Sequence, residues 1–224
     1  MGGDVAVSTS NTSPIAREAN NLFLRLSSIF SMSDIIVFSQ VGIEHIADWQ
    51  GYDHMLFLLA LCGGYCWKQW KPLLWLITAF TLGHSLSLAL ATLQWVPFSS
   101  SWVEFLIPVT IFITCLSNLR PLRTNASSSF RMRYAMAGIF GLIHGLGFST
   151  YLTALMGREA SILFPLLGFN LGLELGQILI VGGILLVSTL VVHGLQFPRR
   201  DWNLFITGGA TALSILLISQ NIFW

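Results

Sequence analysis

Long apolar runs, each about as long as a bilayer is thick, constrain this chain more than any other feature. A helix that crosses a membrane needs about 20 mostly apolar residues. The candidate runs are Tyr52 to Trp67, Pro72 to Trp95, Trp102 to Leu119, Tyr134 to Met156, Ser161 to Val192 and Asn203 to Ile222. The first run is short, so its helix is expected to begin further upstream. Only 9% of the residues are charged, against about 25% in soluble domains. The sequence therefore predicts an all-α bundle of about six spans in a lipid bilayer.

The N-terminal part of the chain differs from these runs. Residues 1–33 begin with a polar stretch rich in Ser, Thr and Asn that has no apolar periodicity. This pattern predicts a disordered or interfacial extension ahead of a membrane domain over residues 34–224. Met32 is a second possible start. Ile35 to Trp49 mixes apolar and acidic residues, which predicts a seventh helix that lies on the interface or dips partly into it.

The basic residues predict an orientation. Eight of the eleven Lys and Arg fall in alternate loops, on one side of the bundle. They are Lys68, Lys71, Arg120, Arg123, Arg131, Arg133, Arg199 and Arg200. The positive-inside rule makes that side cytoplasmic and places both termini outside, as in a bacterial inner membrane protein. The formal net charge of +1 gives no indication of a nucleic-acid partner.

Ionisable side chains at membrane depth are the strongest functional signal, since each costs roughly 2.5–3.5 kcal/mol. Those expected to bind a metal are His45, Asp53, His54, His84, His144 and Glu174. Supporting polar side chains are Ser85, Glu104, Asn170 and Gln177. Imidazole and carboxylate together suit a divalent transition metal such as Ni, Co or Zn. Neighbouring helical residues point about 100° apart, so Asp53 is expected to orient His45 or another group in preference to His54.

Three segments around these residues resemble the conserved blocks of the HupE/UreJ family. They are Gly51-Tyr52-Asp53-His54 followed by Leu56-Phe57-Leu58-Leu59-Ala60-Leu61, then Thr78-Ala79-Phe80-Thr81-Leu82-Gly83-His84-Ser85-Leu86-Ser87-Leu88, and Gly141-Leu142-Ile143-His144-Gly145-Leu146-Gly147-Phe148. The resemblance covers roughly Gly42 to Gln177. It implies a nickel or cobalt permease tied to hydrogenase or urease maturation, with Asp53, His54, His84 and His144 in the metal path. The His-Pro pair of the best-supported transporters is missing here, since Ile46 follows His45. Fold and metal affinity therefore carry over better than the identity of the metal.

Three functions remain open at this point. A divalent-metal permease agrees with the resemblance, but the cytoplasmic half of every predicted span is nearly all apolar and shows no inner relay. An intramembrane zinc-dependent hydrolase, acting on a lipid or a membrane peptide with Glu104 or Glu174 as general base, needs no inner path. An assembly subunit that binds haem is disfavoured because the chain has no haem-attachment motif. We take the permease as the leading hypothesis.

Overall fold

The computed structural model describes residues 32–49, 51–63, 65–119, 127–156 and 162–224, and within these ranges it contains helices and no strands. The helices are α1 (residues 32–46), α2 (Asp53–Cys62), α3 (Trp70–Thr92), α4 (Ser100–Asn118), α5 (Ser127–Met156), α6 (Leu163–Thr189) and α7 (Arg199–Gln220). A 3₁₀ turn at Trp67–Gln69 precedes α3, and a π turn at Leu190–Gly194 follows α6. The predicted all-α architecture is confirmed. Most of the predicted extension over residues 1–33 lies outside the described residues.

Five of the described helices, α3 to α7, are long and apolar enough to cross a membrane. Large apolar side chains remain exposed far from the helix ends, for example Leu82 of α3 and Leu179 of α6. An exposed apolar surface of this extent is stable in lipid and not in water. The chain is therefore an integral membrane protein.

The first passage through the bundle is interrupted. The predicted first span, Tyr52 to Trp67, is represented by α2, which has 10 residues and is too short to cross a bilayer alone. α1 packs lengthwise along the beginning of α6, where a methyl group added to Gly168 would lie 2.6 Å from the Ile35 carbonyl oxygen. α1 is thus a partial helix packed along α6, while Ile36 and Val37 on its other side remain exposed.

α2 continues where α1 stops. Its last turn reaches the end of α4, where the Asn118 amide donates to the Ala60 carbonyl oxygen. The beginning of α6 and the end of α4 lie at opposite ends of the bundle, because α5 and the loop before it separate them. α1 and α2 therefore act in series as one discontinuous passage, since α1 ends at Ile46 and α2 begins at Asp53. Together with α3 to α7 they give the six passages that the sequence predicts.

Two ends of the bundle can be distinguished by charge. The described basic residues cluster at the ends of helices that meet, as shown by Arg133 over the Tyr65 ring at 6.0 Å and by Arg199 donating to Gln69 at 3.3 Å. We call this the basic end, defined by Lys68, Lys71, Arg131, Arg133, Arg199 and Arg200. The beginnings of α1, α4 and α6 form the opposite end. Arg120 and Arg123 lie outside the described residues.

Tight contact between α3 and α5 fixes the centre of the bundle. A methyl group on Gly141 would lie 3.0 Å from the backbone nitrogen of His84 and closer still to the Phe80 carbonyl oxygen. A methyl group on Gly145 would lie 2.3 Å from the His84 carbonyl oxygen. Small residues let two helices approach in this way. The contact brings His84 of α3 and His144 of α5 to the same depth.

Candidate metal centre

Three histidines from three different helices converge near the middle of the bundle. His45 lies in the last turn of α1, His54 in the first turn of α2 and His84 within α3. Each offers a ring nitrogen, and these atoms all lie within 4.8 Å of one another. Ligand nitrogens about 2.1 Å from a tetrahedral ion are about 3.4 Å apart. Small rotations of the side chains would therefore bring the three nitrogens to ligand distance.

A fourth histidine adjoins this group. The centroid of the His144 ring lies 5.1 Å from that of His54, with the two planes nearly perpendicular. Both side chains are buried, and His144 is only 1% exposed. We call His45, His54, His84 and His144 the histidine cluster. The fifth histidine of the chain, His193, is exposed and belongs to the π turn near the basic end.

The cluster contains buried ring nitrogens that have no protein partner. They are Nε2 of His45, Nε2 of His54, both nitrogens of His84 and Nδ1 of His144. Buried polar atoms in native proteins nearly always have a partner, so each exception requires an explanation. A bound cation would satisfy several of these nitrogens at once. Such a site needs neither a Cys sulfur nor a carboxylate as a ligand, because imidazole alone is a good ligand for Ni, Co and Zn.

Asp53 orients His54. Its Oδ1 atom accepts hydrogen bonds from the His54 backbone N–H at 3.0 Å and from His54 Nδ1 at 3.2 Å. With its proton on Nδ1, the His54 ring has its lone pair on Nε2, the atom without a partner. A carboxylate behind a ligating imidazole is a common arrangement in metal sites. The prediction that Asp53 orients His45 or another group in preference to His54 is therefore wrong. At the first residue of a helix, the side chain folds back over its own neighbour's N–H.

Thr110 of α4 plays the same part for His144. Its hydroxyl lies 2.7 Å from the Ile107 carbonyl oxygen and 3.0 Å from Nε2 of His144. The hydroxyl donates its single proton to the carbonyl, so it accepts a hydrogen bond from His144 Nε2. The lone pair of His144 is then on Nδ1, which has no partner. Sequence analysis missed Thr110, since a threonine within an apolar helix has no distinguishing pattern.

An acidic cavity leads from the cluster toward the opposite end. It has a volume of about 630 Å³ and is lined by three members of the cluster, His45, His54 and His144. Its carboxylates are Glu44, Asp48, Asp53 and Glu104. Among the described residues that line it there is no Lys or Arg. A concave surface with carboxylates and without basic groups concentrates cations.

The remaining predicted site residues bond elsewhere. The Glu174 carboxylate accepts from the Thr78 hydroxyl at 2.7 Å, and Gln177 accepts from Thr81 at 2.8 Å. Both pairs join α3 to α6. Ser85 and Asn170 donate to carbonyl oxygens of their own helices. Glu174 is not a member of the group of ligand atoms within 4.8 Å, and its observed bond ties two helices together.

Aromatic rings enclose the cluster. The Phe148 ring lies 3.9 Å from His45, and the Phe169 ring stacks 5.9 Å from His84. Toward the basic end, Phe57 and Phe80 lie 5.4 and 5.2 Å from His144. An apolar shell lowers the local dielectric and limits solvent access, which strengthens the attraction between a cation and its ligands. The cluster is thus accessible through the acidic cavity and enclosed by aromatic rings toward the basic end.

Comparison with known proteins places the chain in a family. A family model described as HupE / UreJ protein matches residues 24–223. Searches of curated proteins and of solved structures gave no significant match. The matched region is wider than the segment from Gly42 to Gln177 in which the sequence blocks occur, and it includes α1 and α7. Because it covers most of the chain, the protein belongs to the HupE/UreJ family.

Proposed function

We propose that this protein is a divalent-metal permease for nickel or cobalt and that it captures the ion in the histidine cluster. The observation that carries the proposal is the set of five partnerless imidazole nitrogens at the end of an acid-lined cavity. The family points to nickel or cobalt transport in a membrane. The donor set agrees with such ions, since imidazole nitrogen suits Ni and Co better than Mg or Ca.

The position of the ligands favours movement of the ion over tight retention. His45 and His54 flank the break between α1 and α2, so a change at residues 47–52 alters the distance between these two ligands. Discontinuous helices beside an ion site are a recurrent device of transporters. A permease must also release its ion. A ligand set that a backbone movement can separate meets this requirement.

The proposed direction follows from charge. The basic end carries the excess of Lys and Arg that marks the cytoplasmic side, in a bacterial inner membrane. The acidic cavity then opens to the outside, with both termini on that side, and the ion reaches the cluster from there. The four cavity carboxylates increase the local concentration of cations before any ligand exchange takes place.

Uptake by cells tests the proposal. We expect cells that express the protein to accumulate radioactive Ni²⁺ or Co²⁺ faster than cells with an empty vector. His54→Ala and His84→Ala should each remove that gain, since losing one of three converging ligands costs about tenfold or more in affinity. His193→Ala is the matched control, because it removes an exposed histidine outside the cluster, and its uptake should equal that of the wild type.

Two results would contradict the permease. One is wild-type uptake that does not exceed the empty vector, at equal membrane expression. The other is uptake that persists unchanged in both cluster variants. If the purified protein in addition retained stoichiometric zinc through extensive dialysis, a fixed catalytic metal would explain the cluster better than a transported one.

A further inference from the structure

A stripe of polar residues follows α4 from the histidine cluster to the basic end. Thr110, Thr114, Ser117 and Asn118 are spaced four, three and one residues apart, so they share one helix face. Thr110 contacts His144, as described above, while Asn118 is at the last turn. Thr110, Thr114 and Asn118 are 2%, 6% and 7% exposed. This stripe is polar and faces the protein interior.

A small cavity accompanies the lower part of the stripe. It is lined by Thr114, Ser117 and Asn118, with Arg133 on the side of the basic end. Its volume for water-sized particles is about 30 Å³, which holds one or two waters. The other lining residues are apolar, namely Phe57, Leu61, Leu76, Met136, Ala137 and Phe140. The polar side chains on one wall supply the two to four partners that a water needs. The half of the bundle that looks apolar in sequence thus contains a small compartment with one polar wall.

Two phenylalanines line this cavity, and one of them also contacts the histidines. Phe57 and Phe140 line the cavity. The Phe57 ring also lies 5.4 Å from the His144 ring and 6.4 Å from the Phe140 ring. Phe57 also stacks on Phe80 at 4.8 Å. Phe57 therefore contacts the histidine cluster and also lines the compartment.

The chemistry of the stripe suits an ion in passage. The Thr114 hydroxyl donates to the Thr110 carbonyl oxygen, and Ser117 donates to the Thr114 carbonyl oxygen. Their protons are committed, so the hydroxyl oxygens keep lone pairs for a cation or its water. Neutral oxygens bind nickel and cobalt more weakly than imidazole does. Nearby Arg133 also disfavours a resident cation, and the compartment therefore favours release over storage.

We propose that the polar face of α4 and its cavity form the inner half of the ion path, and that Phe57 and Phe140 close this path in the conformation described. The proposal rests on the permease function. It adds the route by which the ion leaves the histidine cluster and the pair of rings that must part for it to do so. It also supplies the inner relay that was not visible in the sequence.

The test separates binding from movement. Thr114→Val with Ser117→Ala removes two oxygens from the cavity and preserves the shape of α4. Nickel binding by the purified variant should stay within about twofold of wild type, because no cluster ligand changes, while initial Ni²⁺ uptake into proteoliposomes should fall at least about fivefold. Thr153→Val with Ser219→Ala is the matched control. The Thr153 hydroxyl donates to the carbonyl oxygen four residues earlier, as that of Thr114 does, and the Ser219 hydroxyl donates to the one three residues earlier, as that of Ser117 does. Both the binding and the uptake of this control should match those of the wild type.

The possible outcomes distinguish failure of the proposed path from failure of the permease function. Undiminished uptake in the Thr114/Ser117 variant, with binding intact, overturns the proposed path and leaves the permease standing. Wild-type protein that binds nickel but moves none overturns the permease and the path with it. If the variant loses binding because its fold is disturbed, Phe57→Leu decides, since a smaller side chain weakens the closure. Its uptake should rise about twofold or more, and unchanged uptake would overturn the path.

Discussion

The two halves of this bundle use the same helices for different purposes. Toward the opposite end, four histidines adjoin an acid-lined cavity of about 630 Å³. Toward the basic end, the space beside α4 is about 30 Å³, and its lining combines two hydroxyls, an amide and Arg133 with six apolar side chains. Imidazoles lie where the cavity is wide, and neutral oxygens lie where it is narrow. In the proposed permease this difference corresponds to capture from one side, with an exit that is closed while the histidine cluster is accessible.

The packing around glycines also differs between the two halves of the bundle. Around the histidines, Gly141 and Gly145 leave no room for a methyl group, since neighbouring backbone atoms occupy that space. Farther along α6 and in α7, Gly183 and Gly208 have nothing within 4 Å of the corresponding position. Glycines near the site therefore serve close helix contact. Gly183 and Gly208 face open space, whereas Gly63 at the basic end is also closely packed.

The largest effect is expected from filling one of the tight glycine positions. Gly141→Ala places a methyl group 3.0 Å from the His84 backbone nitrogen, so α3 and α5 must separate and His84 must move from the cluster. Overpacking of this kind costs about 1–3 kcal/mol, occasionally more. We expect nickel binding to fall by at least about tenfold and the thermal unfolding temperature in detergent to drop.

Gly183→Ala is the control for this packing argument. The added methyl group meets nothing, and alanine is favoured over glycine within a helix by up to about 1 kcal/mol. Its stability should equal or exceed that of the wild type, with nickel binding unchanged. Equal loss of binding in both variants would show that the contrast between the two sets of glycines has no consequence for the site.

An intermediate effect is expected at the carboxylate behind His54. Asp53→Asn replaces an acceptor that both orients the ring and increases its basicity. Such changes typically reduce metal affinity by about 10–100-fold, which titration of the purified protein with Ni²⁺ would measure. Asp201→Asn is the matched control, because both aspartates lie in the first turn of a helix. Asp201 differs in its position at the basic end, away from the histidines. A similar affinity loss at both positions would mean that general electrostatics, and not the bond to His54, is responsible.

The residue types of the candidate site could be predicted from the sequence better than the features that position them. The histidines were recognisable because an ionisable group within an apolar run is costly and rare. The break between α1 and α2 was harder to locate, since residues 47–52 carry no proline and only one glycine. Thr110 could not be found at all. Its role depends on which face of α4 meets His144, and helix-to-helix rotation is not determined by the composition of one helix.

The smallest effect is expected at Glu174, which sequence reasoning grouped with the ligands. Its carboxylate accepts from Thr78 at 2.7 Å, and glutamine retains an oxygen that can accept the same bond. Glu174→Gln should therefore change nickel affinity by less than about twofold, whereas removing a charge from a true ligand costs about tenfold or more. The comparison variant is Asp53→Asn, measured in the same titration. A tenfold loss of nickel affinity in Glu174→Gln would indicate that Glu174 is a metal ligand. The set of strong ligands would then extend from the histidine cluster along α6. An unchanged affinity leaves Glu174 as a link between α3 and α6 and keeps the strong ligands on one side of Phe57.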